Sequence, residues 1–244
     1  MKKKYFGILI VLIALTFIFS GCLQQVPPVN NGGDEGTTTN VVLDGIAKAK
    51  YDFLTTGATN LTITGIILAK NDSNIILHDA TSGILIYDSY FLDTYKVNVG
   101  DLVTLDATFV YYYNDVEAKY NTIDVVSTST TSETLTPVKL DIELNNDWLV
   151  DADYNDLTKE SSDATSLALW LYRYVTVEGT LTISDDKNFS IEYSTDSGTS
   201  LINGYYKAGG LTPVTDVPAT VTGYLGAIFD AWQLYIWDEN NIEF

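Results

Sequence analysis

The chain has 244 residues, 46% of them hydrophobic and 12% aromatic, with 32 acidic side chains against 13 basic and a formal charge of −19. So acidic a molecule repels polyanions at low salt, and phosphate-backbone binding draws on clustered Lys and Arg, whereas this chain has one arginine, Arg173, among scattered lysines. One cysteine and one histidine rule out an intrachain disulfide framework, and nucleophile–histidine catalysis would have only His78 to use.

At the amino end, Lys2, Lys3 and Lys4 precede an uncharged, largely apolar run from Tyr5 to Phe19, followed by Ser20, Gly21 and Cys22. A positive start, an apolar middle and small residues at a cleavage point predict a secretory signal peptide over residues 1–21. The run is short for a membrane span, which needs roughly 20 apolar residues. Cys22 directly after Ser-Gly resembles the lipobox of bacterial lipoproteins. That resemblance implies a diacylglyceryl group on the Cys22 sulfur, loss of the preceding peptide, and an extracytoplasmic protein held on the membrane by lipid. The alternative is an uncleaved membrane helix in which Cys22 is an incidental thiol. With the signal removed, 10 basic residues face 32 acidic ones, a charge of −22. Residues 22–40 are rich in Pro, Gly, Asn and Thr, and read as a flexible tether.

Beyond the tether, Thr, Val, Ile and Tyr alternate over short runs broken by Gly, Asn and Asp, the pattern of strands. One signature, apolar-Thr-apolar-x-small, occurs four times: LTITG from Leu61, VTLDA from Val103, VTVEG from Val175 and ATVTG from Ala219. Corresponding copies are offset by 114 and 116 residues, so the chain contains a duplication. In both units a strand, a polar turn ending in Ser-Gly and a second strand follow: Asn74 to Asp88, and Asn188 to Asn203. Aromatic strands and a closing strand come next, Asn121 to Val126 in one unit and Asn240 to Phe244 in the other. Five short strands, two of them bent at a small residue, predict a small closed barrel in each unit.

Gly65, Asp79, Ser82-Gly83 and Val99-Gly100-Asp101 of the first unit resemble the OB-fold modules that accompany nuclease domains in secreted bacterial endonucleases and that occur in surface lipoproteins. The second unit matches less closely, with Thr215 and Tyr193 at the positions of Gly100 and Asp79. The resemblance implies an all-β chain of two tandem five-stranded OB-like Greek-key barrels and a binding role, with no ligand named. The divisions are 41–127 for the first OB-like domain, 128–173 for an interdomain segment, and 174–244 for the second domain. Within the middle segment, Asp163 to Tyr174 predicts a short helix capped by Asp163.

Four places could carry chemistry. His78 falls on the outward face of its strand with Ile76, which predicts a solvated imidazole. Asp151, Asp153 and Asp156, with Asp147 nearby, have a spacing that could gather oxygens around calcium, although the glycine and terminal Glu of an EF-hand loop are missing. Tyr112 falls outward beside Tyr111 and Tyr113. Tyr235 and Trp237 share one face with Gln233, opposite Trp232, Leu234 and Ile236. Exposed rings on an OB barrel can stack on sugars or bases. The expected function is therefore non-enzymatic binding of an extracellular glycan or protein. The alternatives are single-stranded nucleic-acid capture for an extracellular nuclease, and a carboxylate-based hydrolase.

Overall fold

The computed structural model describes residues 43–70, 74–87, 97–112, 115–127, 135–149, 161–228 and 231–244. Cys22, the tether, Tyr113, Asp151, Asp153 and Asp156 lie outside the described residues. The first element among the described residues is a helix, α1 (Gly45–Thr56), where only strands were expected. Its signals are local. The Asp44 side chain caps the first turn, and Gly57, at φ 71, closes the last by donating its N–H to Phe53. Ile46, Ala47, Phe53 and Leu54 form its apolar stripe. Lys50 interrupts that stripe in sequence, yet it is buried with the rest.

The first barrel comprises β1 (Asn60–Lys70), β2 (Asn74–His78), β3 (Gly83–Tyr87), β4 (Leu102–Tyr112) and β5 (Asp115–Ser127), closed in the order β1-β2-β3-β5-β4. The connecting segment carries a two-residue strand, β6 (Val138–Lys139), a 3-10 turn at Asn146–Trp148, and α2 (Ser161–Trp170). Helix α2 starts two residues before the expected cap, which places Asp163 in its first turn, where a carboxylate complements the helix dipole. The second barrel comprises β7 (Tyr174–Ile183), β8 (Asn188–Thr195), β9 (Gly198–Tyr206), β10 (Val214–Ile228) and β11 (Ala231–Ile236). Its ring β7-β8-β9-β11-β10 closes through the pairing of β10 with β7. In each ring all pairs are antiparallel except that of the third and fifth strands. Both are therefore five-stranded rings of OB type, as expected.

The repeated signature lies on the first and fourth strands of each ring, which pair with one another. Thr64 stands opposite Thr104, and Thr176 opposite Thr222, with hydroxyls in contact outside the barrels. The flanking apolar residues point inward. The small residue marks a crossing: a Cβ on Gly179 would lie 2.0 Å from the Glu192 carbonyl oxygen. Two expectations differ from what is found. The closing strand of the second barrel is Ala231–Ile236; Ile242–Glu243 only adds β12 to the edge of β10. Consequently Tyr111 and Tyr112 end a fourth strand, whereas Ala231 to Trp237 is centred on a fifth, and the two are not equivalent. One continuous apolar core runs through both barrels, α1, α2 and the connecting segment.

Candidate ligand-binding site

OB barrels take ligands on the outer face of strands two and three and on the adjoining loops. In the first barrel that face is covered by the chain itself. After α2 the backbone turns at Tyr172, whose φ of 59 is rare for a residue with a side chain, and lays 171–174 across the β2–β3 hairpin. A Cβ on Gly83 would lie 2.2 Å from the Tyr172 carbonyl oxygen, so the two backbones touch. His78 does occupy the outer face of β2, but it is not solvated. It is buried, and its Nε2 accepts the Tyr174 N–H at 3.0 Å. Burial, aided by the Arg173 charge, pushes its pKa down to about 3, so the ring is neutral. This corrects its reading as a solvated, ligand-facing residue.

The same seam buries titratable groups. Lys50 Nζ donates to Ser82 Oγ at 2.7 Å and to the Leu171 carbonyl, and burial holds its pKa well below the ordinary range. A lysine beside a serine hydroxyl is a catalytic arrangement elsewhere. Here both side chains are sealed, and Ser82 Oγ donates to the Ala168 carbonyl at 2.8 Å. Asp115 accepts the Tyr172 hydroxyl hydrogen bond, and burial raises its pKa well above the carboxylate range. Glu117, on the same face, is raised to about 7, chiefly by burial.

In the second barrel the corresponding face carries a pocket of about 300 Å³, lined by Ser184, Asn188, Phe189, Ser190, Asn203, Gly204 and Gln233. Strand register explains the gathering. Ser190 stands opposite Asn203 across β8 and β9, and Asn203 opposite Gln233 across β9 and β11. The turn between β7 and β8 is held in advance. Asp185 takes the backbone N–H groups of Lys187 and Asn188, at 2.8 Å each, and both its oxygens take the Asn188 amide. Phe189 packs over Gly204, where a Cβ would lie 2.0 Å from its ring. The lining contains no charged side chain, although the chain carries 32 carboxylates. The Oε1 of Gln233 is buried with no hydrogen-bond partner among the described residues.

Aromatic rings adjoin this pocket. Two residues beyond Asn203 and Gln233 stand Tyr205 and Tyr235, paired in register with rings 6.3 Å apart edge to face. Tyr235 stacks on Tyr224 at 5.3 Å, and Trp237 meets Tyr224 edge-on. Tyr235 and Trp237 are thus half-buried members of a ladder, not free rings, and burial raises the Tyr235 pKa. Tyr112 is 52% exposed and stacks on Tyr87, itself 48% exposed, at the rim of the first barrel and far along the chain from the pocket residues. Asp147 lies exposed in the 3-10 turn. The structure therefore brings Tyr235 and Trp237 near one candidate site and leaves Tyr112 and His78 apart from it. The neutral polar residues were not singled out from sequence. Their signal was the run of uncharged amides and hydroxyls at outward positions of the second unit.

No protein-family model and no curated protein matches the chain. Among solved structures, the chain is similar to a murine DNA-binding protein bound with double-stranded DNA, at 8% identity and TM-score 0.32, covering 73% of this chain and 91% of that one. It is also similar to the HINa domain of Ifi202 in complex with double-stranded DNA, at 10% identity and TM-score 0.30, covering 76% and 96%. A replication protein A heterotrimer bound to single-stranded DNA is similar at 10% identity and TM-score 0.28, over 78% of this chain and 49% of that one. A likeness of this order says nothing about the ligand of this chain.

Proposed function

We propose that this chain is a non-enzymatic binding module, carried outside the cytoplasm on a lipid at Cys22, that captures a neutral glycan on the outer face of its second barrel. The observation that supports the ligand class is the uncharged amide-and-hydroxyl lining of the pocket, with the buried Gln233 Oε1 waiting for a donor. A sugar hydroxyl both donates and accepts, so it satisfies such a lining without a charge on either side. The neighbouring Tyr205 and Tyr235 rings add an apolar surface of the kind a pyranose face covers. A neutral ligand is also indifferent to the charge of −22 that remains once the signal is removed, a charge that would slow the encounter with a polyanion.

The test is a glycan array screen followed by calorimetric titration of the hit at low and high salt. The expected result is an affinity unchanged by salt and weakened about tenfold by Gln233→Leu, the loss of one buried hydrogen bond. Failure of every neutral glycan to bind would sink the reading. Binding of single-stranded oligonucleotide that falls steeply with salt would replace it with the nucleic-acid alternative. The anchor has its own measurement. Replacing Cys22 with Ser should release the protein from the membrane fraction and abolish labelling by a fatty-acid analogue; unchanged labelling would refute the lipid at that sulfur.

A further inference from the structure

The amides and hydroxyls of the pocket belong to two parallel rows on the outer face of the second barrel. Pairing across β8, β9, β11 and β10 sets Asn188, Tyr205, Tyr235 and Tyr224 in one line, one residue per strand. Two residues along each strand, Ser190, Asn203, Gln233 and Gly226 make the second line. Phe189, Leu234 and Leu225, which fall between the lines, are buried in the core, so both rows face outward. Asn188 and Asn203 are exposed, and Tyr205, Tyr235, Ser190 and Gln233 are half-buried. The pocket occupies the space between the rows: its lining takes Asn188 from the first, Ser190, Asn203 and Gln233 from the second, and Phe189 and Gly204 from the positions between them. Two residues of strand rise make this trough about 7 Å wide. It crosses β8, β9 and β11. At β10 a Cβ on Gly226 would lie 2.7 Å from the Tyr235 Cε2, so the Tyr235 ring leans over that strand and closes the end.

A trough that runs across strands has the period of the strands. Neighbouring strands lie about 4.8 Å apart. An extended β-1,4-linked pyranose chain advances by nearly that distance per sugar, whereas an α-1,4-linked chain coils and falls out of step. One side of the trough repeats a group that both donates and accepts, a hydroxyl on Ser190 and an amide on Asn203 and on Gln233. The other side carries the Tyr205 ring, an apolar surface with a polar tip, beside Asn188. We infer that the pocket is part of an extended site for a neutral β-1,4-linked oligosaccharide, which lies across the strands with one sugar on each of β8, β9 and β11. Hydroxyls along one edge of that ribbon meet Ser190, Asn203 and Gln233 in turn, and C–H groups along the other pack on Tyr205. Tyr205 thereby becomes a specificity-determining residue, because only a chain long enough to pass it gains the contact. The inference rests on the glycan reading and adds to it the linkage, the direction and the shortest length of the ligand.

The experiment titrates the full chain calorimetrically with β-1,4-linked oligomers of glucose and of N-acetylglucosamine, two, three and four units long. Oligomers of α-1,4-linked glucose of the same lengths serve as the comparison. In at least one β-1,4 series the trisaccharide should bind about tenfold tighter than the disaccharide, the worth of one further set of contacts. The α-1,4 series should show no such gain. Tyr205→Ala should cancel the gain, and Tyr205→Phe, which keeps the ring, should retain it. The ring lies on the outer face of the barrel, so its loss opens no core, and Tm shows that each variant is folded. The length series on the unaltered chain decides the matter even if a variant fails. A neutral glycan from the array that binds and is weakened by Gln233→Leu, with no gain along either β-1,4 series, overturns this inference and leaves the glycan reading standing. Binding by no neutral glycan removes both.

Discussion

Glu117 shows how one residue can make the stability of this molecule depend on pH. Its folded pKa of about 7 stands above the ordinary 4.5 because burial penalises the carboxylate, with Lys119 opposing. Between those values the folded chain keeps a proton that the unfolded chain releases. The contribution is fully present below 4.5 and is lost as pH rises through 7. His78 acts in the opposite sense: its pKa of about 3 means that stability is gained as pH climbs from 3 toward 6.5. A whole-protein profile mixes the two, so the informative quantity is the difference between Glu117→Gln and the wild type. That difference should move in favour of the variant by about 2 kcal/mol between roughly pH 5 and pH 8, read from urea midpoints at each pH. A constant difference would mean that Glu117 is ionised throughout. The residue scale is also where sequence reading reaches least far. Alternation placed His78 on the outer face of its strand correctly. Whether that face meets water depends on a segment almost a hundred residues later, since Tyr174 is the residue that covers it. No local pattern around Asn74 to His78 carries that information.

At the scale of elements, the strands were legible because their signals are local and repeated. The hairpin expected from Asn74 to Asp88 is β2 and β3, and that expected from Asn188 to Asn203 is β8 and β9. The duplicated signature also predicted two bent strands per unit, and each signature Thr proves to stand opposite the variable position of the partner copy: Thr62 opposite Asp106, Thr104 opposite Thr64, Thr176 opposite Thr222 and Thr220 opposite Glu178. Helix α1 was missed although its caps, Asp44 and Gly57, stand in the sequence. The charged Lys50 breaks the apolar stripe at the position where a periodicity argument needs a hydrophobe, and only the Ser82 hydroxyl and Leu171 carbonyl explain why it can be buried. The closing strand of the second barrel went astray for another reason. Matching by order assigned the last strand-like run, Asn240 to Phe244, to the ring. The parallel pairing of β9 with β11 gives that place to Ala231–Ile236 instead. The same mismatch hid the pocket, because Gln233 belongs to it only as a residue of the fifth strand.

At the scale of the molecule, duplication has produced two barrels with unequal fates. The second–third strand face of the first is covered by 171–174, so the two copies do not offer two equal sites. That covering also ties the halves together. Tyr172 N–H donates to the Leu225 carbonyl and Leu225 N–H returns to Arg173, while Tyr172 reaches back to Asp115 and Lys50 to Leu171. On the other side, Trp148 packs edge-on against Trp232, whose Nε1 donates to Asn145, and the Tyr193 hydroxyl donates to Ile142. With one apolar core running through both barrels and these bonds crossing between them, neither half has a surface along which to part cheaply. The chain should therefore unfold as a single cooperative unit. Unfolding absorbs about 0.7 kcal/mol per residue near 60 °C, or roughly 120 kcal/mol for the described part. Scanning calorimetry should give one peak whose van't Hoff enthalpy equals that calorimetric value. Two barrels melting separately would each show a van't Hoff enthalpy near half of it, about 60 kcal/mol, and that result would show the interface to be a docking contact between independent domains.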